Sequence, residues 1–148
     1  MQEKQSNIIF LEGKERILQR LFNDTGFGYL AVGHNQETDD TNGFRNVSLD
    51  DNVTPKGFTE VSDSTYERVP LEFDSIKNVD EDNGRVTARF SAELGLDNII
   101  NNVPINQIAI VDNKDKTVAE TKFFGASVTE EFTKNEKLAL VFIIEITI

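Results

Sequence analysis

Residues 8–33, IIFLEGKERILQRLFNDTGFGYLAVG, decide how the chain is built, because an amphipathic helix there gives way within a few residues to a short apolar strand bounded by glycine. In the helical part Leu11, Ile17, Leu18, Leu21 and Phe22 recur at a 3.6-residue period, while Lys14, Glu15, Gln19 and Arg20 take the other face, which predicts a helix over 11–22. Asn23-Asp24-Thr25-Gly26 stops it, with polar turn formers followed by a glycine able to take positive φ. Everything beyond predicts β structure.

Outward from that stretch, three acidic or amide-rich zones with Gly or Pro nearby are expected as loops: His34 to Asn42, Asp50 to Lys56 and Asp80 to Gly84. From Val69 the inward positions are Val69, Leu71 and Phe73, with Arg68, Pro70 and Glu72 opposite, and Pro70 argues for an edge or a strand end. Val86, Ala88, Phe90, Ala92 and Leu94 alternate with Thr87, Arg89, Ser91 and Glu93, the two-residue period of a strand with one wet face. Asp82-Asn83-Gly84 supplies the turn of a hairpin between these runs. A second hairpin is expected from Ile105–Val111 and Thr117–Phe124 around Asp112 to Asp115. A third is expected from Ser127–Phe132 and Lys137–Ile148 around Lys134-Asn135-Glu136. In the last run Leu138, Leu140, Phe142, Ile144, Ile146 and Ile148 share a face, and Val141 and Ile143 interrupt the polar one. Its middle is therefore expected to be buried on both sides, at a sheet centre, under the helix or against another subunit. The fold class is mainly β, an antiparallel β-sandwich of about seven or eight strands with one N-terminal α-helix. Residues 1–10 form an N-terminal arm and 11–148 a single sandwich domain with its docking helix.

Composition narrows the chemistry. At 148 residues the chain is long enough to close one core without a disulfide or metal, and it has no cysteine for thiolate chemistry. A net charge of −11 makes nucleic acid and anionic membrane unsuitable partners, because both surfaces repel it. MQEKQSNIIF lacks the features of a secretory signal, and the apolar run from Leu138 to Ile144 is too short to span a bilayer. His34 is the only histidine, which excludes a His-based metal cluster, and it is expected to be an ordinary loop residue. Asp39-Asp40, Asp50-Asp51 and Asp80-Glu81-Asp82 supply carboxylates, but with no Trp and only Tyr29 and Tyr66 they lack the aromatic platforms of a glycosidase cleft. The run from Asn78 to Gly84 places its glycine one step late for an EF-hand and puts Arg89 where the bidentate Glu belongs. The glycines at 26, 28 and 33 flank a strand, so no phosphate cradle is implied. No catalytic, metal or cofactor-binding residue is assigned.

Two apolar features exceed what the core needs. Ile8, Ile9 and Phe10 precede the helix without alternation, as an arm that packs on a neighbour or, the favoured alternative, on its own sheet, and of Phe123 and Phe124 one must face the less buried side unless something covers it or a bulge intervenes beside Gly125. These five residues are the candidate protein interface, and a homo-oligomer or a fixed partner is expected to cover them.

The order of elements resembles small structural proteins of tailed bacteriophages, in particular the tail-fibre and baseplate-associated group. A strand ending Ala31-Val32-Gly33 leads into a polar loop, the Arg-containing segment Tyr66 to Val69 enters the sheet, Ile105 to Asp112 forms an I-x-x-I-type strand with a short turn, and Lys134 precedes the final hydrophobic strand to Ile148. The chain departs from that group after Gly33, where HNQETDDTNGF replaces a Gly/Thr/Pro-rich stretch. The resemblance implies a virion component made in the host cytoplasm, binding other virion proteins as a tail, baseplate or fibre-attachment part, with no turnover and no cofactor. A capsid decoration protein shares the same make-up. The rival of another class is a small ligand- or carbohydrate-binding β-sandwich, with or without calcium in an acidic loop, and the lack of Trp counts against the sugar version.

Overall fold

A computed structural model describes residues 8–35 and 58–148. The apolar stripe of the first stretch forms α1 (Leu11–Asp24), which buries Leu18 and Phe22 and ends at Gly26, whose φ of +83° only glycine adopts without strain. Seven strands follow among the described residues: β1 (Tyr29–Gly33), β2 (Val69–Pro70), β3 (Glu72–Asp80), β4 (Arg85–Leu94), β5 (Val103–Val111), β6 (Phe123–Lys134) and β7 (Leu140–Thr147). They make two antiparallel sheets, one ordered β2-β1-β5-β6 and the other β3-β4-β7. The mainly β, antiparallel expectation with one helix is met.

The main apolar core draws on both sheets and the helix: Leu30, Val32, Ile105, Ile108 and Ile110 from the first, Val86, Ala88, Phe90, Leu94 and Phe142 from the second, Leu18 and Phe22 from α1. The alternation foreseen in β4 is reproduced in full, with its five apolar residues all buried. Phe90 is the hub of the aromatic packing, 4.7 Å from Phe22 and 5.8 Å from Phe73 between ring centroids, both edge-on. Asp80 and Asn83 close the β3–β4 turn by side-chain hydrogen bonds, and Gly84 supplies the φ of +65°.

The chain changes sheets at two places where the sequence suggested continuity. The run from Val69 breaks at Leu71, so Val69 and Pro70 form a two-residue edge of the first sheet while Glu72 onward belongs to the second. Val69 and Leu71 are buried and Phe73 half-buried as expected, but Arg68, placed on the wet face by alternation, is only 4% exposed. It has polar partners inside, described below, and alternation is blind to them.

The other change corrects the expected third hairpin. Phe123 to Lys134 is one strand paired with β5, and β7 pairs with β4 in the opposite sheet, so Lys134 to Ala139 is a crossing and not a hairpin turn. Lys134 anchors the crossing: fully buried, it donates from Nζ to the carbonyls of Ile99 and Asn135 at 3.2 and 2.7 Å, and burial holds its pKa below the usual lysine range. The second hairpin stands as a β5–β6 pairing, but residues 112–122 connect it through a 3₁₀ turn at Val118–Glu120, so its second strand starts at Phe123, not Thr117.

Two burial expectations are also corrected. Within one chain the middle of the last strand is buried on one side only, since β7 lies at a sheet edge and α1 packs on β3 and β4: Phe142 is buried, whereas Val141 and Ile143 are 62% and 58% exposed, which removes the sheet-centre and under-the-helix alternatives and leaves that of another subunit. Hydrophobicity alone does not distinguish a sheet centre from an uncovered edge. Ile17, expected on the inner helix face, is 43% exposed, since it lies one position to the side of the Leu18–Phe22 line that meets β3 and β4.

Candidate protein interface

The arm positions the first group of candidate residues. Ile8, Ile9 and Phe10 are 76%, 56% and 77% exposed, three consecutive large apolar side chains directly before α1. Phe10 is extended at the helix N-cap without a side-chain cap bond, and its carbonyl takes the N–H of Lys14. Ile9 packs back over the first turn of α1, with its Cγ2 at ordinary contact distance, 3.4 Å, from where a Cβ on Gly13 would stand. Ile17 lies seven residues after Phe10, two turns along on the same side, so the exposed apolar surface continues onto the helix.

Phe123 and Phe124 resolve as both sequence alternatives at once. The register with β5 jumps between Ile110↔Gly125 and Val111↔Phe123, which makes Phe124 the extra residue of a bulge. Phe123 packs edge-on to Phe58 at 5.6 Å in a small second cluster with Ala31, Ala109 and Val111 on the outer face of the first sheet. Phe124 turns the other way, 5.2 Å from Phe22 and 5.7 Å from Phe27, and stays 42% exposed. Beside it the sandwich is open: an apolar cleft of about 140 Å³ lies between Ile108 and Ile110 of β5, Gly125 and Ala126 of β6, and Ile144 and Ile146 of β7. The arm and the two phenylalanines are therefore not one surface that the structure brings together through named contacts. Phe124 belongs to the cleft side and Phe123 to the second cluster.

A polar constellation that sequence reasoning missed lies at the opposite edge. Arg68 donates from Nε and Nη2 to Glu60 Oε2 and Oε1, both at 2.9 Å, and from Nη1 to Asn113 Oδ1 at 2.8 Å and Thr121 Oγ1 at 3.0 Å. Tyr66 donates its hydroxyl to Glu60 and accepts the Val32 N–H at 3.2 Å. Burial and the neighbouring Glu60 carboxylate push the Tyr66 phenol far up. The hydrogen bond to Glu60 raises Arg68, and burial opposes it. A hollow of about 330 Å³ adjoins this group, lined also by Lys114, Asp115 and Lys116. Both Glu60 oxygens are committed to Arg68 and Tyr66, so the group holds the chain segments together and offers no free carboxylate for proton transfer. Its members are scattered from residue 60 to 121, so no local motif could reveal it.

Two amides of β5 tie down Asn35 and Thr59. Asn106 bonds both main-chain groups of Asn35, at 3.0 and 2.9 Å, and Gln107, fully buried, accepts the Thr59 N–H at 3.0 Å. His34 is a partly covered residue whose Nε2 lies 2.6 Å from Glu131 Oε1. Asp80 is occupied with its own turn, while Asp39, Asp40, Asp50, Asp51 and the loop zone 50–56 lie outside the described residues. Among the described residues no three His, Cys, Asp or Glu side chains converge as a metal site, and no helix is long and apolar enough to cross a membrane. No protein-family model, curated protein or solved structure matches this chain.

Proposed function

We propose that the chain is a structural protein of a tailed-phage virion, a tail, baseplate or fibre-attachment component that works by binding other virion proteins and copies of itself. The observation that carries the assembly part is the run of Ile8, Ile9 and Phe10, each more than half exposed, continued by Ile17 on α1. Single exposed apolar residues are ordinary, but a contiguous set marks a surface that a partner covers. The virion part rests on the resemblance in element order, and the acidic, cysteine-free composition agrees with it.

The test is sedimentation of the full chain beside a variant carrying Ile8→Ser, Ile9→Ser and Phe10→Ser, and incorporation of both into particles, with electron microscopy locating the subunit. Loss of incorporation with an unchanged melting temperature supports the reading. Equal incorporation of the two proteins, or a particle without this subunit, overturns it.

A further inference from the structure

Among the described residues four strands bound the two sheets, and three of them carry features that discourage pairing with a further strand. β2 has only two residues, one of them Pro70. β3 is broken by register shifts at Phe73/Ser75 and Ile76/Asn78 and bears Glu72, Asp74 and Lys77. β6 is shifted twice against β5 and bears Glu130 and Glu131. The fourth, β7, has none of these: its pairing with β4 runs unbroken from Thr87↔Thr147 to Leu94↔Leu140, and it contains no proline. Its one charge, Glu145, is bound to Lys77 at 2.6 Å and Arg89 at 3.3 Å on its own sheet.

The hydrogen-bonding groups of this edge follow from the ladder. Val86 and Ile148 exchange both main-chain bonds at 2.9 Å, so by antiparallel alternation the even-numbered residues of β7 bond to β4 and the odd-numbered ones point their N–H and C=O outward. These are Val141, Ile143, Glu145 and Thr147, whose side chains also form the outer face.

We infer that β7 is a strand-pairing edge for a second copy of this chain, joined antiparallel about a two-fold axis so that two three-stranded sheets become one of six strands. Charge selects a copy as the occupant. The chain carries −11 overall, yet along this edge Lys77 and Arg89 offset Glu145 and Glu93, so two copies meet where little net charge opposes them. Shape selects the register. With Phe142 on the axis, Val141 stands opposite Ile143 of the other copy and Ile143 opposite its Val141, giving about four main-chain hydrogen bonds. Leu140 stands opposite Ile144 on the core side, which extends both cores across the axis. Moving the register by one step sets Val141 against Glu145 in one direction and leaves Ile143 only the small Ala139 as its partner in the other. The inference deepens the assembly reading by naming one partner and one surface, separate from the arm.

Sedimentation equilibrium of the full chain tests it, with Ile143→Lys and Val141→Pro as variants. Both positions face outward, and the Val141 N–H makes no bond to β4, so the proline removes no internal hydrogen bond while blocking a docking strand. The wild type is expected to dimerise in the micromolar range, and each variant to weaken the dimer by about tenfold or more at an unchanged melting temperature. Because the chain has no cysteine, mixing Val141→Cys with Ile143→Cys protein under oxidation reads the register directly. A hydrogen-bonded antiparallel pair spaces its Cα atoms by about 5.5 Å, within disulfide reach. The mixed disulfide should exceed either homodimer. A monomeric wild type, a dimer insensitive to both variants, or no preference for the mixed disulfide overturns the inference. A dimer lost only on substitution of Ile8, Ile9 and Phe10 overturns it as well, but leaves the assembly reading standing.

Discussion

At Gly33 the absence of a side chain is a requirement of packing: a Cβ there would lie 2.4 Å from the Thr59 carbonyl oxygen and 2.8 Å from Gln107 Oε1. Gly33→Ala must push the segment at Thr59 off β1, which is expected to cost about 1–3 kcal/mol in urea denaturation. Arg68 has the larger stake, since Arg68→Ala leaves the Glu60 carboxylate with Tyr66 but without its cation, and a loss of about 3–5 kcal/mol is expected. Tyr66 makes this group sensitive to alkali. Its folded pKa is raised above the ordinary 10.0, so the native state binds the phenolic proton more tightly than the unfolded chain does. Its stabilising contribution is complete below pH 10 and declines as pH rises beyond that value. Lys134 has the opposite sign: its folded pKa is lowered from 10.5, so stability from this group rises with pH up to that value. Denaturation of Tyr66→Phe and Lys134→Met between neutral and alkaline pH should therefore change the slope in opposite directions relative to wild type.

Among the elements, β4 was the most legible because period-two alternation is a local property and both its neighbours only reinforce it. Truncating its hub, Phe90→Ala, is expected to cost about 3–5 kcal/mol, checked by chemical denaturation, since the ring packs on Phe22 and Phe73 from two other elements. The helix was equally legible from its stripe, apart from Ile17. The partnering of β6 and β7 was not. Lys134-Asn135-Glu136 has the composition of a hairpin turn, and only the burial of the Lys134 ammonium against Ile99 and Asn135 shows that the chain crosses between layers there. The exposure of the apolar run Ile8 to Phe10 was legible as one of two alternatives, because its residues are adjacent in sequence and lack alternation. The candidate site was hidden where it depends on topology, as with the uncovered edge of β7, or on distant polar partners, as with Glu60 and Arg68.

For the whole molecule, charge sets how association responds to conditions. Copies at −11 repel at long range, so raising salt is expected to strengthen self-association and to weaken binding to a basic partner, which sedimentation at low and high ionic strength separates. The three changes of sheet, after β2, β4 and β6, have a kinetic consequence. The β3–β4 pairing joins neighbours in the chain, whereas β1 must find β5 at Tyr29↔Val111 and β4 must find β7 at Thr87↔Thr147, each closing a long loop before any contact rewards it. In pulse-labelling hydrogen exchange during refolding, amides of the β3–β4 turn region are therefore expected to gain protection first, and those of β1 and β7 last. For that interval the β4 edge that later receives β7 has unsatisfied main-chain groups of its own, so refolding yield should fall with protein concentration, through a strand edge that the finished fold no longer presents.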